Sequence, residues 1–476
     1  MATTSYDVVI IGAGPAGYVA AIRCAQLGLK TACIDEWVGE NGQPSLGGTC
    51  LNVGCIPSKA LLDSTHYYHH MIHQAKDHGI TVKEAAIDVT AMQQRKSKIV
   101  GMLTRGIKGL FKKNGVARLV GTGRLMDDGK VKVMSKQGSG EAGQLLESRH
   151  VIIATGSHPV SLAQAPVDGS TIVDSSGALA FGEVPQRLAV IGAGVIGLEL
   201  GSVWNRLGAK VTVLEALDTF LPTVDQALAK EALPVFKKQG LDIQLDARLT
   251  ETKKTGSGVQ VTYQTANRQR QIEVDKLVVA VGRRAYTEGL GVEAVGLALD
   301  ERGFIVTDEH WRTNLDGVYA IGDVIGGPML AHKGSEEGVA LAERIAGQAG
   351  HVNYDTIPWV VYTWPEIAWV GRTEQQLHQE GVGYRTGVFP FMAIGRARAM
   401  GEVAGKVKII GDEKTDRILG VHIFGPHASE LISEAVVAME CDASTEDLAR
   451  TIHAHPTLAE AMHEAALAVD NRAIHL

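Results

Sequence analysis

The chain has 476 residues, 45% hydrophobic and 21% charged, with a formal net charge of −7 and five cysteines. That is the composition of a soluble globular protein of about three domains. It has no long basic run to suit nucleic acid, and no apolar run nears the roughly 18 residues of a membrane span.

The start, Met1 to Tyr6, leads straight into a strand and leaves no room for a signal or transit peptide. Five thinly spread cysteines do not make a secreted disulfide framework, so a reducing, cytoplasmic setting is expected. Asp7-Val8-Val9-Ile10-Ile11 reads as a buried strand and runs into Gly12-Ala13-Gly14-Pro15-Ala16-Gly17. A helix over 18–27 follows, then a strand, Thr31 to Ile34, ending at Asp35. Glycines in this context let the backbone approach a pyrophosphate at the helix N-terminus, and the acid can bind a ribose hydroxyl.

Next comes Gly47-Gly48-Thr49-Cys50-Leu51-Asn52-Val53-Gly54-Cys55-Ile56-Pro57-Ser58-Lys59. Cysteines five apart in a regular helix have Cα atoms roughly 8–9 Å apart, too far for a disulfide, which wants about 4.4–6.8 Å. A bond between them needs a distorted backbone, which Gly54 could permit. Pro57 suits a helix start. A strained, accessible bridge there would be easily reduced, and the helix end would favour a thiolate. Two inert buried cysteines fit the spacing equally well.

Residues 60–110 read as helical, with His66, His70 and His73 near one face and His69 beside them. A metal site is conceivable at that spacing, but a solvated helix face is the better reading and no metal is expected. Short strands and turns, among them Asp127-Asp128-Gly129, fill 116–150, followed by a polar linker over 136–143. Val151-Ile152-Ile153 then enters Ala154-Thr155-Gly156-Ser157, a second strand-to-glycine turn. The nucleotide pattern recurs as Leu188 to Ile191, Gly192-Ala193-Gly194-Val195-Ile196-Gly197, and Val211 to Leu214 ending at Glu215, each piece offset by 180 from the first. Two copies imply two dinucleotides, one able to pass electrons to the other. Leu277 to Val281 enters Gly282 in the same manner.

Thr313 to Asp323 reads as a buried strand with Asp323 beyond its carboxyl end, where open α/β sheets bind ligands; it could equally cap the next helix. From about 351 an antiparallel sheet backed by helices is expected, one helix covering Glu430 to Met439 with Leu431, Ala435 and Met439 on one face. Near the end stands His453-Ala454-His455-Pro456-Thr457-Leu458-Ala459-Glu460. Pro456 is placed to open the last helix, and Thr457 and Glu460 have capping-box spacing. The sharper alternative makes His455 a base held by Glu460.

Together these pieces resemble the flavin disulfide oxidoreductases, the superfamily of glutathione reductase, and within it closely resemble the dihydrolipoamide dehydrogenases. The resemblance covers essentially the whole chain. It is most specific at 47–59, 192–199, 320–323, 329–332 and 453–460. The loop Trp37 to Ser45 departs from it as a surface insertion.

The resemblance implies an α/β fold: two Rossmann-like dinucleotide-binding domains plus a C-terminal α+β interface domain. Its implied boundaries are 1–150 for FAD, 151–282 for NAD, 283–350 completing the FAD domain, and 351–476 for dimerisation. FAD would be held by Gly12, Gly14, Gly17 and Asp35, with Thr49, Lys59, Gly123, Thr155, Gly156, Ser157, Asp323, Met329, Leu330, Ala331 and His332. NAD would be held by Gly192, Gly194, Gly197, Glu199 and Glu215, with Leu249 and Gly282. Cys55 would lie against the flavin, Cys50 would exchange with substrate, and Lys59 would pair with Glu199. His455 and Glu460 would reach the disulfide of the partner in a homodimer. The substrate would be dihydrolipoamide on lipoyl domains of 2-oxo acid dehydrogenase or glycine cleavage complexes.

Rivals fit less well. A glutathione reductase would carry arginines near Glu215 for NADP, where Ala216-Leu217-Asp218-Thr219 follows instead. Mercuric and thioredoxin reductases of this build carry a C-terminal redox pair, but the last cysteine is Cys441. A non-catalytic FAD-binding subunit would not need both the Cys50/Cys55 and His455/Glu460 sets.

Overall fold

The computed structural model describes residues 4–127, 129–134, 143–266 and 268–476. The linker expected over 136–143 lies outside them except for Gly143, as do the first three residues and Asp128 of the expected turn. The chain divides into two compact units.

The first unit comprises Met1–Ala60, Gln93–Val160 and Gly282–Val352. Its seven-stranded sheet has the order Ala117–Val120, Thr31–Asp35, Thr4–Ile11, Gln144–Ile153, Val131–Met134, Thr122–Leu125, with Val318–Ala320 also paired to Gln144–Ile153. The strands around Thr4–Ile11 run parallel, and the last two in the order add antiparallel. Val8, Val9 and Ile10 are fully buried, because a parallel strand covered on both faces needs an unbroken apolar run. The helix Pro15–Gln26 starts with proline in its first turn, where the missing N–H costs nothing. A boundary at 150 would cut Gln144–Ile153: Val9 pairs with Val151 and Ile11 with Ile153, and 151–160 stay with this unit. Residues 37–45 form an exposed hairpin, bridged at Val38 and Pro44 and tied by Glu40 to Lys96 (3.3 Å) and Ser97 (2.8 Å).

The second unit comprises Leu61–Met92, Ser161–Val281 and Asn353–Leu476. It holds a parallel sheet in the order Leu241–Gln244, Lys210–Leu214, Arg187–Ile191, Lys276–Val279, Ile172–Val173, and an antiparallel three-stranded sheet over 248–274. A five-stranded antiparallel sheet follows, ordered Trp359–Val361, Glu366–Gly371, Ile418–Gly425, Lys406–Asp412, Tyr384–Pro390. Helices Ala428–Glu440 and Glu460–Val469 bury Ile432, Ala435, Ala461, Met462 and Ala465 against it.

Residues 60–110 are not one helical run. The helix Cys55–His73 gives way to a short 3-10 turn, Ala75–His78, and irregular chain precedes the helix Val89–Asn114. The His69 and His73 rings stand 4.4 Å apart and His66 lies on Trp364 at 4.5 Å. Among the described residues no group of three or more His, Cys, Asp or Glu could hold a metal ion.

Candidate active site

The two nucleotide motifs fold alike, down to single hydrogen bonds. The Ala13 N–H donates to the Asp35 carboxylate (2.6 Å), whose other oxygen accepts from Trp37 N–H (2.8 Å). The Ala193 N–H donates to Glu215 (2.8 Å), whose other oxygen accepts from Leu217 N–H (3.0 Å). Burial raises the Asp35 pKa, with the two amide bonds opposing it. A β-carbon at Gly17 would overlap the Gly12 carbonyl oxygen, and one at Gly197 the Gly192 carbonyl oxygen. The helices Pro15–Gln26 and Val195–Arg206 begin at Gly14 and Gly194 with no side-chain cap. Open space lies in front of both glycines. Unsatisfied helix N–H groups facing open space suit a phosphate-bearing ligand, so both loops fit a dinucleotide.

The cysteine segment sits directly on the first of these loops. The Gly47 N–H donates to the Ala13 carbonyl (2.8 Å), and a β-carbon at Gly48, φ +56°, would come within 2.7 Å of the Gly14 Cα. The helix Gly48–Val53 carries Cys50 and stops at Gly54, whose φ of −136° and ψ of −116° are not helical. Cys55 opens the next helix, with Pro57 in its first turn. A β-carbon at Gly54 would lie 2.9 Å from the Thr49 carbonyl oxygen, so the break admits no larger residue without a shift. Cys50 is half-buried and Cys55 exposed. The thiol hydrogen bond with Cys55, then burial, pushes the Cys50 pKa well above the thiol range, while Lys59 pulls the other way. Asn52 is buried, and its amide donates to the carbonyls of Leu46 (3.1 Å) and Gly48 (2.8 Å).

Beside this segment in the first unit, the Ser157 hydroxyl donates to Asp323, and Arg283 donates to the Ser157 hydroxyl (2.7 Å) and carbonyl (2.6 Å). Arg283 also reaches the Thr49 hydroxyl at 3.5 Å. The Thr155 hydroxyl donates to the Tyr286 carbonyl, next to Gly156. Asp323 lies in the 3-10 turn Gly322–Ile325 and caps no helix; the following helix, Ala331–Ile345, begins after Leu330. Met329 packs against one core of this unit, and Ala331 and His332 open that helix. The turn is braced by the buried pair Lys333–Glu337 (3.1 Å). Glu337 takes the Gly322 N–H (2.7 Å), and Lys333 donates to the carbonyls of Gly322 (3.1 Å) and Gly326 (2.9 Å). Gly123 faces Ile11 and Ile34, a packing reason for glycine in the strand Thr122–Leu125.

In the second unit, Glu199 is buried and accepts the Tyr362 N–H (3.0 Å). Leu249 pairs with Tyr263 and packs against a core cluster, while Gly282, which reopens the first unit, accepts the Val160 N–H (3.0 Å).

His455 Nδ1 stands 2.8 Å from a Glu460 oxygen, and the other Glu460 oxygen accepts the Thr457 N–H at 2.9 Å. The Thr457 hydroxyl donates to the Ala454 carbonyl (2.7 Å), not to the helix. The last helix therefore starts at Glu460 after Ala459, not at Pro456, and Thr457 and Glu460 make no capping box. Burial alone would raise the Glu460 pKa, but the bonds from His455 and Thr457 outweigh it and hold the carboxyl below its usual range. An imidazole with one nitrogen on a carboxylate and the ring 78% exposed is arranged to accept a proton from a visiting group.

Sequence reasoning missed Asn52, Arg283, Lys333 and Glu337. Only the last two left a signal, their i, i+4 spacing in the helix Ala331–Ile345.

A paired thiol on one nucleotide loop, a second such loop and a carboxylate-held histidine define a disulfide oxidoreductase that uses nucleotides. Residues 6–338 match the pyridine nucleotide-disulphide oxidoreductase family and 357–466 its dimerisation domain, and the chain belongs to that family. Within it, the chain is 52% identical to a dihydrolipoyl dehydrogenase of Cupriavidus necator, covering 99% of each chain. It is 49% identical to the mitochondrial dihydrolipoyl dehydrogenase of Pisum sativum, over 99% of this chain and 92% of that one. Among solved structures it resembles LpdA of Mycobacterium tuberculosis, with a TM-score of 0.88 and 29% identity over 98% of this chain and 99% of that one.

Proposed function

We propose that the protein oxidises protein-bound dihydrolipoamide as a homodimer, using Cys50 and Cys55 as the redox pair. The observation that carries this reading is the hydrogen-bonded Cys50/Cys55 pair seated on the Gly12–Gly17 loop, where a dinucleotide fits. FAD in the first loop and NAD in the second supply, when bound, the electron acceptors for the reduced pair. Asp35 and Glu215 would each meet an adenosine ribose, and Glu215, with no arginine following, favours NAD over NADP. Thr49, Lys59, Gly123, Thr155–Ser157, Asp323 and 329–332 are assigned to the flavin. Glu199, Leu249 and Gly282 are assigned to the nicotinamide nucleotide.

The thiol steps follow from the residues. With the pair oxidised, His455 of one subunit takes a proton from a substrate thiol, since only the thiolate attacks. The thiolate bonds to Cys50 sulfur, the Cys50–Cys55 bond breaks, and Cys55 leaves as a thiolate. His455 passes its proton to the Cys50 sulfur as that sulfur is displaced and takes the proton of the second substrate thiol, which attacks the substrate sulfur held by Cys50. A cyclic disulfide departs, Cys50 is left as a thiol, and two electrons now reside on the pair. The hydrogen bond with Cys55, which raises the Cys50 pKa, suits Cys50 to hold that proton in the reduced pair. Glu460 stabilises the imidazolium formed at His455.

The lipoyl groups would come from 2-oxo acid dehydrogenase or glycine cleavage complexes, in a reducing compartment such as the cytoplasm. Anaerobic titration of the FAD-loaded protein with dihydrolipoamide, glutathione, NADH and NADPH in parallel tests the reading. Flavin bleaching by dihydrolipoamide and NADH alone is expected. Bleaching by glutathione and NADPH instead would overturn it.

A further inference from the structure

His453 stands two residues before His455, in the loop between the helices Thr445–Arg450 and Glu460–Val469. Its side chain is 7% exposed, so it is held where His455 is presented. Its Nδ1 lies 2.9 Å from the Thr451 carbonyl oxygen, and its Nε2 lies 2.6 Å from a Glu434 oxygen on the helix Ala428–Glu440. A carbonyl and an ionised carboxylate offer only lone pairs. Both contacts are therefore hydrogen bonds only when both ring nitrogens carry protons. A neutral ring would leave one of them as two facing lone pairs.

The groups facing the ring favour the cation. Glu434 contributes from Ala428–Glu440, and Glu460 from the last helix. The other imidazole nearby is His463, its ring centre 5.3 Å away on that same last helix. The bond to Glu434 outweighs burial and, with the Glu434 charge, the Thr451 carbonyl and Glu460, holds the His453 pKa above the usual histidine range.

We propose that His453 is a positioning residue for the dithiol half-reaction, a buried imidazolium that ties the His455 loop at Thr451 to Glu434. Because Glu460 feels His453 and bonds His455, the same cation also steadies the charge that holds the base. The proposal rests on the reading of His455 as the base. A group whose pKa is raised on folding contributes while protonated and loses its effect as pH rises through that pKa. The clamp is thus strongest on the acid side of that raised value and loosens as pH climbs through it.

The test is the rate of enzyme reduction by dihydrolipoamide against pH, by stopped flow on FAD-loaded protein. Reduction by NADH serves as the check on folding and flavin content. His453→Gln, which cannot donate at both positions and does not titrate, should slow dithiol reduction about ten- to a hundredfold at pH 7, the scale of a misplaced catalytic group. It should also abolish the alkaline limb. Glu434→Gln removes the main cause of the raised pKa, so its limb should move to lower pH while the rate on the acid side of that limb stays close to wild type. If His453→Gln fails to fold, the Glu434→Gln limb decides. Wild-type rates and an unmoved limb in the variants overturn the proposal alone. A wild-type enzyme that dihydrolipoamide does not reduce overturns the underlying reading, and the proposal with it.

Discussion

Glu460 has one oxygen on His455 and the other on the Thr457 amide, so altering it touches a charge and a loop at once. Glu460→Gln keeps an acceptor for the amide but loses the charge. It should slow the dithiol half-reaction, by at most the ~10²–10⁴ expected for losing the base itself, and lower the urea midpoint at neutral pH by the small contribution of that charge. The pKa of Glu460 is depressed on folding. Its stabilisation is therefore complete above the usual glutamate value near ~4.3 and is lost as pH falls through the lower folded value. The variant should show a shallower loss of stability with acid than wild type, measured as the urea midpoint against pH. Equal slopes would mean the carboxylate does not carry this loop's acid sensitivity.

At the scale of the element, the two glycine loops offer a paired experiment. Gly17 and Gly197 each let a helix start pass against the carbonyl of the first glycine in its own loop. An alanine at either must push helix from loop, an overpacking cost of about 1–3 kcal/mol that falls on the phosphate cradle. Gly17→Ala should purify with little FAD. Gly197→Ala should purify yellow, accept electrons from dihydrolipoamide, and use NADH poorly. Absorbance at purification and the KM for NADH separate the two, and a yellow, fully active Gly17→Ala would remove the first loop from flavin binding. Much of this element was legible beforehand. Glycine spacing, the acid 23 positions on and the apolar strands lie within one short stretch of chain, where pattern and structure are tied by backbone geometry.

For the whole molecule, the decisive feature is the dimerisation domain matched over 357–466. If the base of one subunit serves the cysteines of the other, a Cys50→Ser chain and a His455→Gln chain complement each other. Each parent homodimer should lack dithiol turnover, and the heterodimer should regain one working site of two, about half the activity. Verified heterodimers with no activity would place base and cysteines in one subunit. The Cys50→Ser homodimer should still pass electrons from NADH to a dye, because that path needs no disulfide.

Sequence by itself determined what is local: the duplicated strand–glycine–helix–acid pattern, a glycine at 54 that would permit a helix break between two cysteines, and the antiparallel texture after 351. Each is written in residues close along the chain, where steric rules leave few alternatives. Tertiary structure alone decided what depends on distant partners. Val318–Ala320 joins the first sheet through Gln144–Ile153, Lys333 and Glu337 brace the turn of Asp323, and Arg283 reaches Ser157 from 126 positions away. It also decided between competing local readings. Thr457 and Glu460 have capping-box spacing, yet the Thr457 hydroxyl turns to Ala454 and Glu460 turns to His455, because the chain enters the helix only at Glu460. Spacing states which bonds are possible, and packing chooses among them.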